Sequence, residues 1–382
     1  MPDEGRKPRV LIISAGYAPA PGGAANYTRT LAHILADPGV ASEVSVYTER
    51  YPGEPAEAWE GADGGVHVRR SMAWRATRGK QPIGATCIYI WQMAQIAWRL
   101  ATAPAQFDAV FLHASLIHRT SVLAQAVRFG RVCRRANSRF VLDVRDPLTP
   151  AARAPAANYF DAVIACSANV SADLTRKGVR AELITEIPIP LARRQTSFED
   201  SPSGGAKGMV PDRTVLVAHG VAPGKRSEEV VAAVADLRRQ GYDFEVAIAG
   251  KARYWTDELT RAEEAGWLHF LGPLPNGALR SLMARCLIHV NVCTEEGMPR
   301  SSLEAIDAGT LTVLPPGVPE FERSCPDWIG TAGDPQALAQ DILTVCTRGQ
   351  RTPYPLERHT PERVAEAYTD LISTDTFPRS PS

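Results

Sequence analysis

One segment of the sequence reads Thr294-Glu-Glu-Gly-Met-Pro-Arg-Ser-Ser-Leu-Glu-Ala-Ile-Asp-Ala-Gly-Thr310. The apolar run at residues 287–292 before it predicts a buried strand, and residues 300–308 predict a short helix that Gly309 closes. Glu296 is therefore expected in the loop between the strand and the helix, and Glu304 on the helix itself. A glycine turn, two hydroxyls and two carboxylates would then meet at one strand-to-helix junction.

This junction has the chemistry of a ligand site. The first backbone N–H groups of a helix lack internal partners and, with the helix dipole, attract an anion, most often a phosphate. Ser301 and Ser302 would add hydroxyl donors there. A carboxylate can accept two hydrogen bonds from adjacent hydroxyls, which suits Glu296 and Glu304 to a polyhydroxy ligand. The alternative is two glutamates on an ordinary surface loop and helix.

Length and charge limit the possible functions. A chain of 382 residues is too long for one ordinary core, so two domains of about 170 to 190 residues each are expected. The 42 basic and 42 acidic residues balance, and no basic tract occurs. This argues against nucleic acid as the main partner.

The cysteines and the apolar segments indicate a cytoplasmic protein. The seven cysteines are scattered, without metal-type spacing, and are expected to be reduced core thiols: Cys87, Cys133, Cys166, Cys286, Cys293, Cys325 and Cys346. Residues 1–8 lack the apolar core of a signal peptide. The hydrophobic segment 83–103 is interrupted by Gln92, Gln95 and Arg99, so it predicts a core or interface helix rather than a transmembrane segment.

Short apolar runs alternate with helical patterns along both halves of the chain. In the first half, strands are predicted at residues 10–14, 43–48, 66–71, 109–113, 140–144 and 162–167, with a helix at 24–35. In the second half, strands are predicted at 214–219, 244–249 and 268–271, and helices at 227–239, from 256, near 335–347 and at 359–372. Such alternation favours parallel sheets covered on both faces, whose ligands bind at the carboxyl ends of the strands.

The spacing of Glu296, seven residues and Glu304, within its strand and helix, resembles the signature of retaining GT-B glycosyltransferases, particularly family four. The resemblance covers nearly the whole chain. It implies an α/β fold of two Rossmann-like domains facing across a cleft: an acceptor-side domain at 1–190, a linker at 191–212, and a nucleotide-sugar-binding domain at 213–358. A helix at 359–375 would cross back to the first domain and allow hinge motion, and a tail would follow at 376–382.

The resemblance also implies roles for residues of the second half. Glu296 would hold hydroxyls of the donor sugar, which Gly297, Met298, Pro299 and Arg300 would also contact. Ser301 and Ser302 would contact the diphosphate, and Glu304 would hold the ribose of the nucleoside. Leu274, in the turn Gly272-Pro-Leu-Pro275, and Gly250, in Ala249-Gly-Lys251, would line the nucleoside site through main-chain groups.

The turn Gly220-Val-Ala-Pro-Gly-Lys-Arg226 departs from the family pattern. The family usually has Gly-Arg, four residues and Lys, and both cations clamp the diphosphate. Here Val221 replaces the expected Arg and the turn is one residue shorter, so Lys225 and Arg226 would share that work. The alternative is a basic helix start on the surface.

The first half contributes a glycine turn and a histidine. The turn Gly16-Tyr-Ala-Pro-Ala-Pro-Gly-Gly-Ala24 lacks G-x-G-x-x-G, which counts against an NAD enzyme. It resembles the family loop that approaches the diphosphate and the acceptor, so Gly22 and Gly23 are candidate diphosphate contacts; the alternative is a tight turn only. His113 matches the family histidine near the donor sugar, where it would assist catalysis with Glu296, Lys225 and Arg226. A structural histidine is the alternative, and His118 is a rival.

The acceptor is the least defined part of the prediction. Tyr17, Arg145 and Asp146 are candidate acceptor contacts, although Asp143, Arg145 and Asp146 would equally suit an internal ion pair. The acceptor is expected to be a small molecule, since no amphipathic basic helix for membrane docking is evident. The Ala- and Arg-heavy composition suggests secondary metabolism. The oligomeric state, monomer or homodimer, is left open.

The predicted function is transfer of a sugar from a UDP- or GDP-sugar with retention at the anomeric carbon. No Asp-rich metal motif is evident, so positive side chains would replace a divalent ion and no cofactor is expected. Two alternatives stay open. One is a GT-B sugar-nucleotide epimerase or hydrolase, and the other is a non-catalytic protein that binds a nucleotide, suggested by Val221 and the atypical Met298-Pro299.

Overall fold

The structure is a computed structural model that describes residues 6–20, 22–49, 60–72, 94–95, 98–99, 106–113, 138–147, 151–191 and 209–373. The chain divides into two compact units. Unit 1 comprises Met1–Ala192 with His359–Ser382, and unit 2 comprises Arg193–Arg358. The rival His118, Cys87, Cys133, most of the segment 83–103 and most of the predicted linker lie outside the described residues.

Unit 1 is built on a mostly parallel sheet. Its described strands are β1 Arg9–Ser14, β2 Glu43–Glu49, β3 Glu60–Asp63, β4 Val66–Met72, β5 Ala109–His113, β6 Arg139–Val144, β7 Ala162–Ala165 and β8 Ile184–Glu186. They lie in the order β3-β4-β2-β1-β5-β6-β7-β8. Only the β3–β4 pair among them is antiparallel.

Unit 2 is built on a parallel sheet. Its described strands are β9 Thr214–Val217, β10 Glu245–Ala249, β11 Leu268–Gly272, β12 Ile288–Val290 and β13 Leu311–Val313. They lie in the order β11-β10-β9-β12-β13. Both sheets thus have the doubly wound arrangement that the alternating pattern predicts, in which the carboxyl ends of the strands share one edge.

The described α-helices follow or connect the strands. They are α1 Gly23–Leu35, α2 Ala168–Arg176, α3 Ser227–Arg239, α4 Asp257–Glu264, α5 Asn276–Met283, α6 Arg300–Ala308, α7 Pro319–Ser324, α8 Pro335–Arg348 and α9 Pro361–Ser373. Short 3₁₀ turns lie at Ala151–Tyr159, Ala181–Leu183, Pro211–Arg213, Pro326–Trp328 and Glu357–His359. None of the described helices combines the length and apolar character needed to cross a membrane.

The described strands of both sheets are largely buried. Every residue of β5, β7, β9 and β10 is buried. Such strands are continuous apolar runs rather than alternating ones, which is typical of parallel sheets. The cores are therefore formed by side chains such as Phe111 and Phe140 in unit 1 and Ile248 and Val290 in unit 2.

Most predicted elements are confirmed within one or two residues, and the differences have local causes. The strand predicted at 287–292 ends at Val290, because the Asn291 side chain turns the chain by accepting a hydrogen bond from the Cys293 N–H (3.1 Å). β3, β8 and β13, of three or four residues each, were not predicted. Thr360 caps α9, with its Oγ1 accepting from the Arg363 N–H (3.4 Å).

The last helix, α9, is fixed to unit 1 by a buried polar cluster. Arg145 forms an ion pair with Asp143 (Nε–Oδ1 2.6 Å), and both side chains are buried. Tyr27 donates to Asp143 Oδ2 (2.8 Å), and Arg145 Nη2 donates to the hydroxyl of Tyr368 on α9 (2.7 Å). Because buried charges are stable only when paired and hydrogen-bonded, this cluster needs α9 in place.

Candidate active site

The loop after β12 and the turn after β9 meet in unit 2. Lys225 of the turn forms an ion pair with Glu296 of the loop. The Cys293 thiol donates to the Gly224 carbonyl (3.0 Å), which joins the same two segments. The predicted phosphate cation and the predicted sugar carboxylate are therefore in direct contact, at the carboxyl edge of the sheet.

Two glycines hold the turn against the neighbouring strand end. The Gly220 N–H donates to the Ala249 carbonyl (2.9 Å), and the Val221 N–H donates to the Lys251 carbonyl (3.0 Å). Gly220 and Gly250 both have positive φ, 72° and 129°. A Cβ on Gly220 would lie 2.4 Å from the Lys251 carbonyl oxygen, so only glycine fits this crossing.

Val221 is fully buried in the core of unit 2. Its side chain cannot take the place of the family arginine, and a cation at this position would be enclosed in the core. The positive charges of the turn are therefore those of Lys225 and Arg226.

Arg226 stands at the start of α3 in the left-handed region, with a φ of 54°. Its guanidinium pairs with Glu229, whose other carboxylate oxygen accepts from the Gly333 N–H (2.8 Å). A left-handed conformation costs a non-glycine residue about 1–2 kcal/mol. The ion pair with Glu229 thus fixes the orientation of the Arg226 side chain, and the backbone of Arg226 is strained.

Glu304 lies on α6 as predicted and is almost fully buried, at 3% exposure. Its Oε1 accepts from Arg300 Nε (2.8 Å) and from Asn276 Nδ2 (3.0 Å). Asn276 begins α5, directly after the turn Gly272-Pro-Leu-Pro275 that contains the predicted nucleoside contact Leu274. The structure therefore places Glu304, Arg300 and the predicted nucleoside turn next to one another.

The start of α6 presents fewer side-chain donors than the sequence suggests. Ser302 is fully buried, and its hydroxyl accepts from Asn291 Nδ2 (3.4 Å). Ser301 is half-buried, whereas Gly297, Met298 and Pro299 are buried. No side chain caps the helix at Pro299. The contacts predicted for these residues therefore depend on main-chain groups more than on the Ser302 hydroxyl.

Cys293 lies beside Glu296 but is not suited to act as a nucleophile. Burial, followed by the Glu296 carboxylate, raises the pKa of its thiol to about 11. A thiol with such a pKa stays protonated near neutral pH, and only the thiolate attacks. Among the described residues, no group of three or more His, Cys, Asp or Glu side chains could hold a metal ion.

In unit 1, His113 ends β5 and is buried at 6% exposure, with its ring 6.1 Å from that of Tyr27. Gly22 and Gly23 form the uncapped start of α1, and a Cβ on either would meet nothing within 4 Å. The backbone is therefore open to close approach there, as a phosphate-binding turn requires. The roles predicted for these three residues stay predictions.

Two of the predicted acceptor contacts make internal contacts. Arg145 belongs to the buried cluster with Asp143 and Tyr27, the alternative that the sequence left open. Tyr17 is buried at 2% exposure, and its hydroxyl donates to Asp63 (2.9 Å). The acceptor roles of both residues stay predictions. Asp146 is exposed.

The sequence analysis missed two histidines behind the turn. His219, which is half-buried, ends the predicted strand 214–219, and His289 lies on β12 with 0% exposure. No described residue forms a hydrogen bond with either ring nitrogen of His289 or with Nε2 of His219. Burial, and then Lys225, lowers the pKa of His219 to about 3. Burial, and then His219, lowers the pKa of His289 to about 3.

These histidines predict a loss of stability in mild acid. Both stay neutral in the folded chain below their ordinary pKa of 6.5, whereas the unfolded chain takes up protons there. The contribution of this pair to the free energy of unfolding is thus fully present above pH 6.5. Between pH 6.5 and pH 3 the free energy of unfolding falls by about 1.4 kcal/mol per pH unit for each histidine. Urea unfolding of the whole chain at pH 7, 6 and 5 measures the slope. This range lies above 4.5, the ordinary pKa of Glu245, so the lowered pKa of that carboxyl does not contribute.

His289→Leu supplies the control for that slope. Leucine fills the same apolar surroundings without a proton-binding group, so the slope below pH 6.5 should fall by about half. Equal slopes in the wild type and the variant would contradict the assignment of the acid sensitivity to this pair.

Comparison with known proteins identifies the family. Residues 213–348 match the family described as "Glycosyl transferases group 1", and residues 21–191 match "Glycosyltransferase Family 4". The chain belongs to the family-four-like glycosyltransferases. The first match contains the Lys225–Glu296 pair, Glu304 and Asn276, and the second contains His113.

Solved structures show the same GT-B fold as this glycosyltransferase. Anabaena HepE, in complex with UDP and glucose, is 20% identical over 95% of both chains, with a TM-score of 0.63. Sucrose-phosphate synthase from Thermosynechococcus elongatus is 16% identical over 96% of this chain and 98% of its own, with a TM-score of 0.67. A glycosyltransferase from Rickettsia africae is 13% identical over 96% and 99%, with a TM-score of 0.66. Comparison with curated proteins gives no match for this glycosyltransferase.

Proposed function

We propose that this glycosyltransferase moves a sugar from a nucleoside-diphosphate donor to an acceptor with retention at the anomeric carbon. The observation that carries the proposal is the contact of Lys225 with Glu296 beside the start of α6. A cation and a carboxylate at one helix start suit a ligand that joins an anion to a polyhydroxy ring. A sugar diphosphate is such a ligand.

Donor binding would exchange the partners of this ion pair. Lys225 and Arg226 would take the phosphate oxygens, and Glu296 would accept hydrogen bonds from sugar hydroxyls. Negative charge grows on the diphosphate as the sugar leaves, and positioned cations and helix N–H groups stabilise that charge most in the transition state. Cys293, the nearest thiol, is protonated, so a same-face attack by the acceptor fits better than a cysteine-linked intermediate.

UDP-sugars are the first donors to test. HepE was solved in complex with UDP and glucose and with UDP-glucose, which supports a nucleotide sugar as the co-substrate here. The small-molecule acceptor, the place in secondary metabolism, the cytoplasmic location, metal independence and the lack of a cofactor rest on the sequence alone and stay predictions. The donor panel described below also determines whether the donor nucleotide is UDP or GDP.

The test is a donor panel with and without acceptors. The purified chain is incubated with UDP- and GDP-sugars in EDTA, and released nucleoside diphosphate and products are followed by chromatography and NMR. We expect release to depend on an acceptor, an anomeric configuration in the product equal to that of the donor, and loss of turnover in Glu296→Ala. An epimerised or hydrolysed donor without any acceptor would replace the proposal with the epimerase or hydrolase alternative. Binding without turnover would favour the non-catalytic alternative.

A further inference from the structure

Asn276 contacts the carboxylate of Glu304, which is predicted to hold the ribose. Its Nδ2 donates to Glu304 Oε1 (3.0 Å), and Arg300 Nε donates to the same oxygen (2.8 Å). A carboxylate oxygen has two lone pairs, so these two bonds saturate Oε1. The side chain can then neither rotate nor exchange its two oxygens without breaking both bonds.

The other oxygen of Glu304 is left for a ligand. No described residue donates a hydrogen bond to Oε2, and Oε2 is not among the fully enclosed polar atoms that lack a partner. The side chain keeps 4% of its surface exposed. Since a buried carboxylate oxygen without donors is costly, an Oε2 that keeps a little accessible surface beside the nucleoside turn is suited to accept from a hydroxyl.

We propose that Asn276 is a positioning residue for nucleoside recognition: with Arg300 it occupies Oε1 of Glu304, so that Oε2 alone accepts from the ribose of the donor. The inference rests on the proposed function, because it needs a nucleoside diphosphate in unit 2. According to this inference, the hydrogen-bonded residues Asn276 of α5 and Arg300 and Glu304 of α6 together discriminate ribose from deoxyribose.

Two variants remove the Asn276 donor in different ways. Asn276→Ala removes the amide, whereas Asn276→Leu keeps a side chain of similar size that cannot donate. Gln240→Ala is the matched control, because it removes an amide–carboxylate bond to Asp236 (2.8 Å) at an exposed helix end of the same unit.

The experiment is calorimetric titration with UDP and GDP and with their 2′,3′-dideoxy analogues, together with thermal unfolding of each variant. The wild type should bind the ribonucleotide more tightly than the dideoxy analogue. Both Asn276 variants should weaken ribonucleotide binding about three- to tenfold, the value of one ordinary hydrogen bond, because Asn276 acts on the ribose only through Glu304; dideoxy binding should be unchanged. Glu304→Gln should remove the discrimination, and Asn276→Ala should add nothing in that background.

Each remaining outcome overturns a specific statement. Equal losses for ribose and dideoxy ligands in the Asn276 variants would show a structural role only and overturn the inference. Unchanged ribonucleotide binding would overturn it as well. A wild type that binds neither UDP nor GDP would instead refute the proposed function on which the inference rests.

Discussion

Replacing Lys225 and Arg226 together by alanine is expected to weaken binding of a nucleoside diphosphate by about 10²- to 10⁴-fold. Each lost hydrogen bond between a charged donor and a phosphate is worth about 1.5–3 kcal/mol, and the two losses fall on one diphosphate. Val221 lies in the core of unit 2, so it leaves no third cation in the turn to compensate. Calorimetry with UDP and GDP measures the loss.

The ion pair with Glu296 requires a further variant in this experiment. Removing Lys225 leaves the Glu296 carboxylate to repel the diphosphate, so the addition of Glu296→Gln separates repulsion from the loss of the cations. Lys177→Ala is the matched control, because it breaks a similar Lys–carboxylate pair with Asp173 (2.6 Å) in unit 1. Affinity of the double alanine variant within threefold of the wild type would refute the phosphate role.

Gly220→Ala is expected to destabilise unit 2 by about 2–4 kcal/mol. A left-handed φ costs alanine about 1–2 kcal/mol, and a clash with fixed backbone adds strain of similar size. The new Cβ would stand 2.4 Å from the Lys251 carbonyl oxygen and 2.7 Å from its nitrogen. Relief requires the turn to move away from the end of β10, which would also displace Lys225.

Gly241→Ala separates these two costs. Gly241 has a φ of 95°, but a Cβ there would meet nothing within 4 Å. Its alanine variant should therefore lose only the conformational part, about 1–2 kcal/mol. Urea unfolding of both variants gives the difference, and equal losses at the two positions would show that the crossing of Gly220 and Gly250 is not tight in solution.

The strand and helix pattern could be predicted because burial dictates it. The helices at 227–239 and 300–308 were predicted with the observed ends. Local features define both: the first has a polar start and an apolar stripe, and the second is closed by Gly309. The edge strand β3, Glu60-Gly-Ala-Asp63, has no apolar pattern, because only its backbone pairing with β4 makes it a strand. A strand that depends on pairing with a distant segment cannot be predicted from its own residues alone.

The sequence predicts which residues belong to the candidate site, but it does not predict which of them contact one another. Glu296, Glu304, Lys225 and Arg226 stand out by type and spacing, yet the sequence does not show that Lys225 contacts Glu296. The bond from Asn276 to Glu304 joins residues on separate helices. By sequence, Arg145 suits a ligand and an ion pair equally, and the structure shows the ion pair with Asp143 and the bonds to the hydroxyls of Tyr27 and Tyr368.

The position of Tyr368 in the buried cluster of unit 1 has a consequence for synthesis of the protein. Unit 1 begins at the first residues of the chain, but Arg145 gains its Tyr368 partner only after all of unit 2 has left the ribosome. At about 5–20 residues per second, that delay is on the order of ten seconds or more. The domain that is translated first therefore completes its native structure last, and until then Arg145 has its partners Asp143, Tyr27 and Ile187 but lacks the hydroxyl of Tyr368.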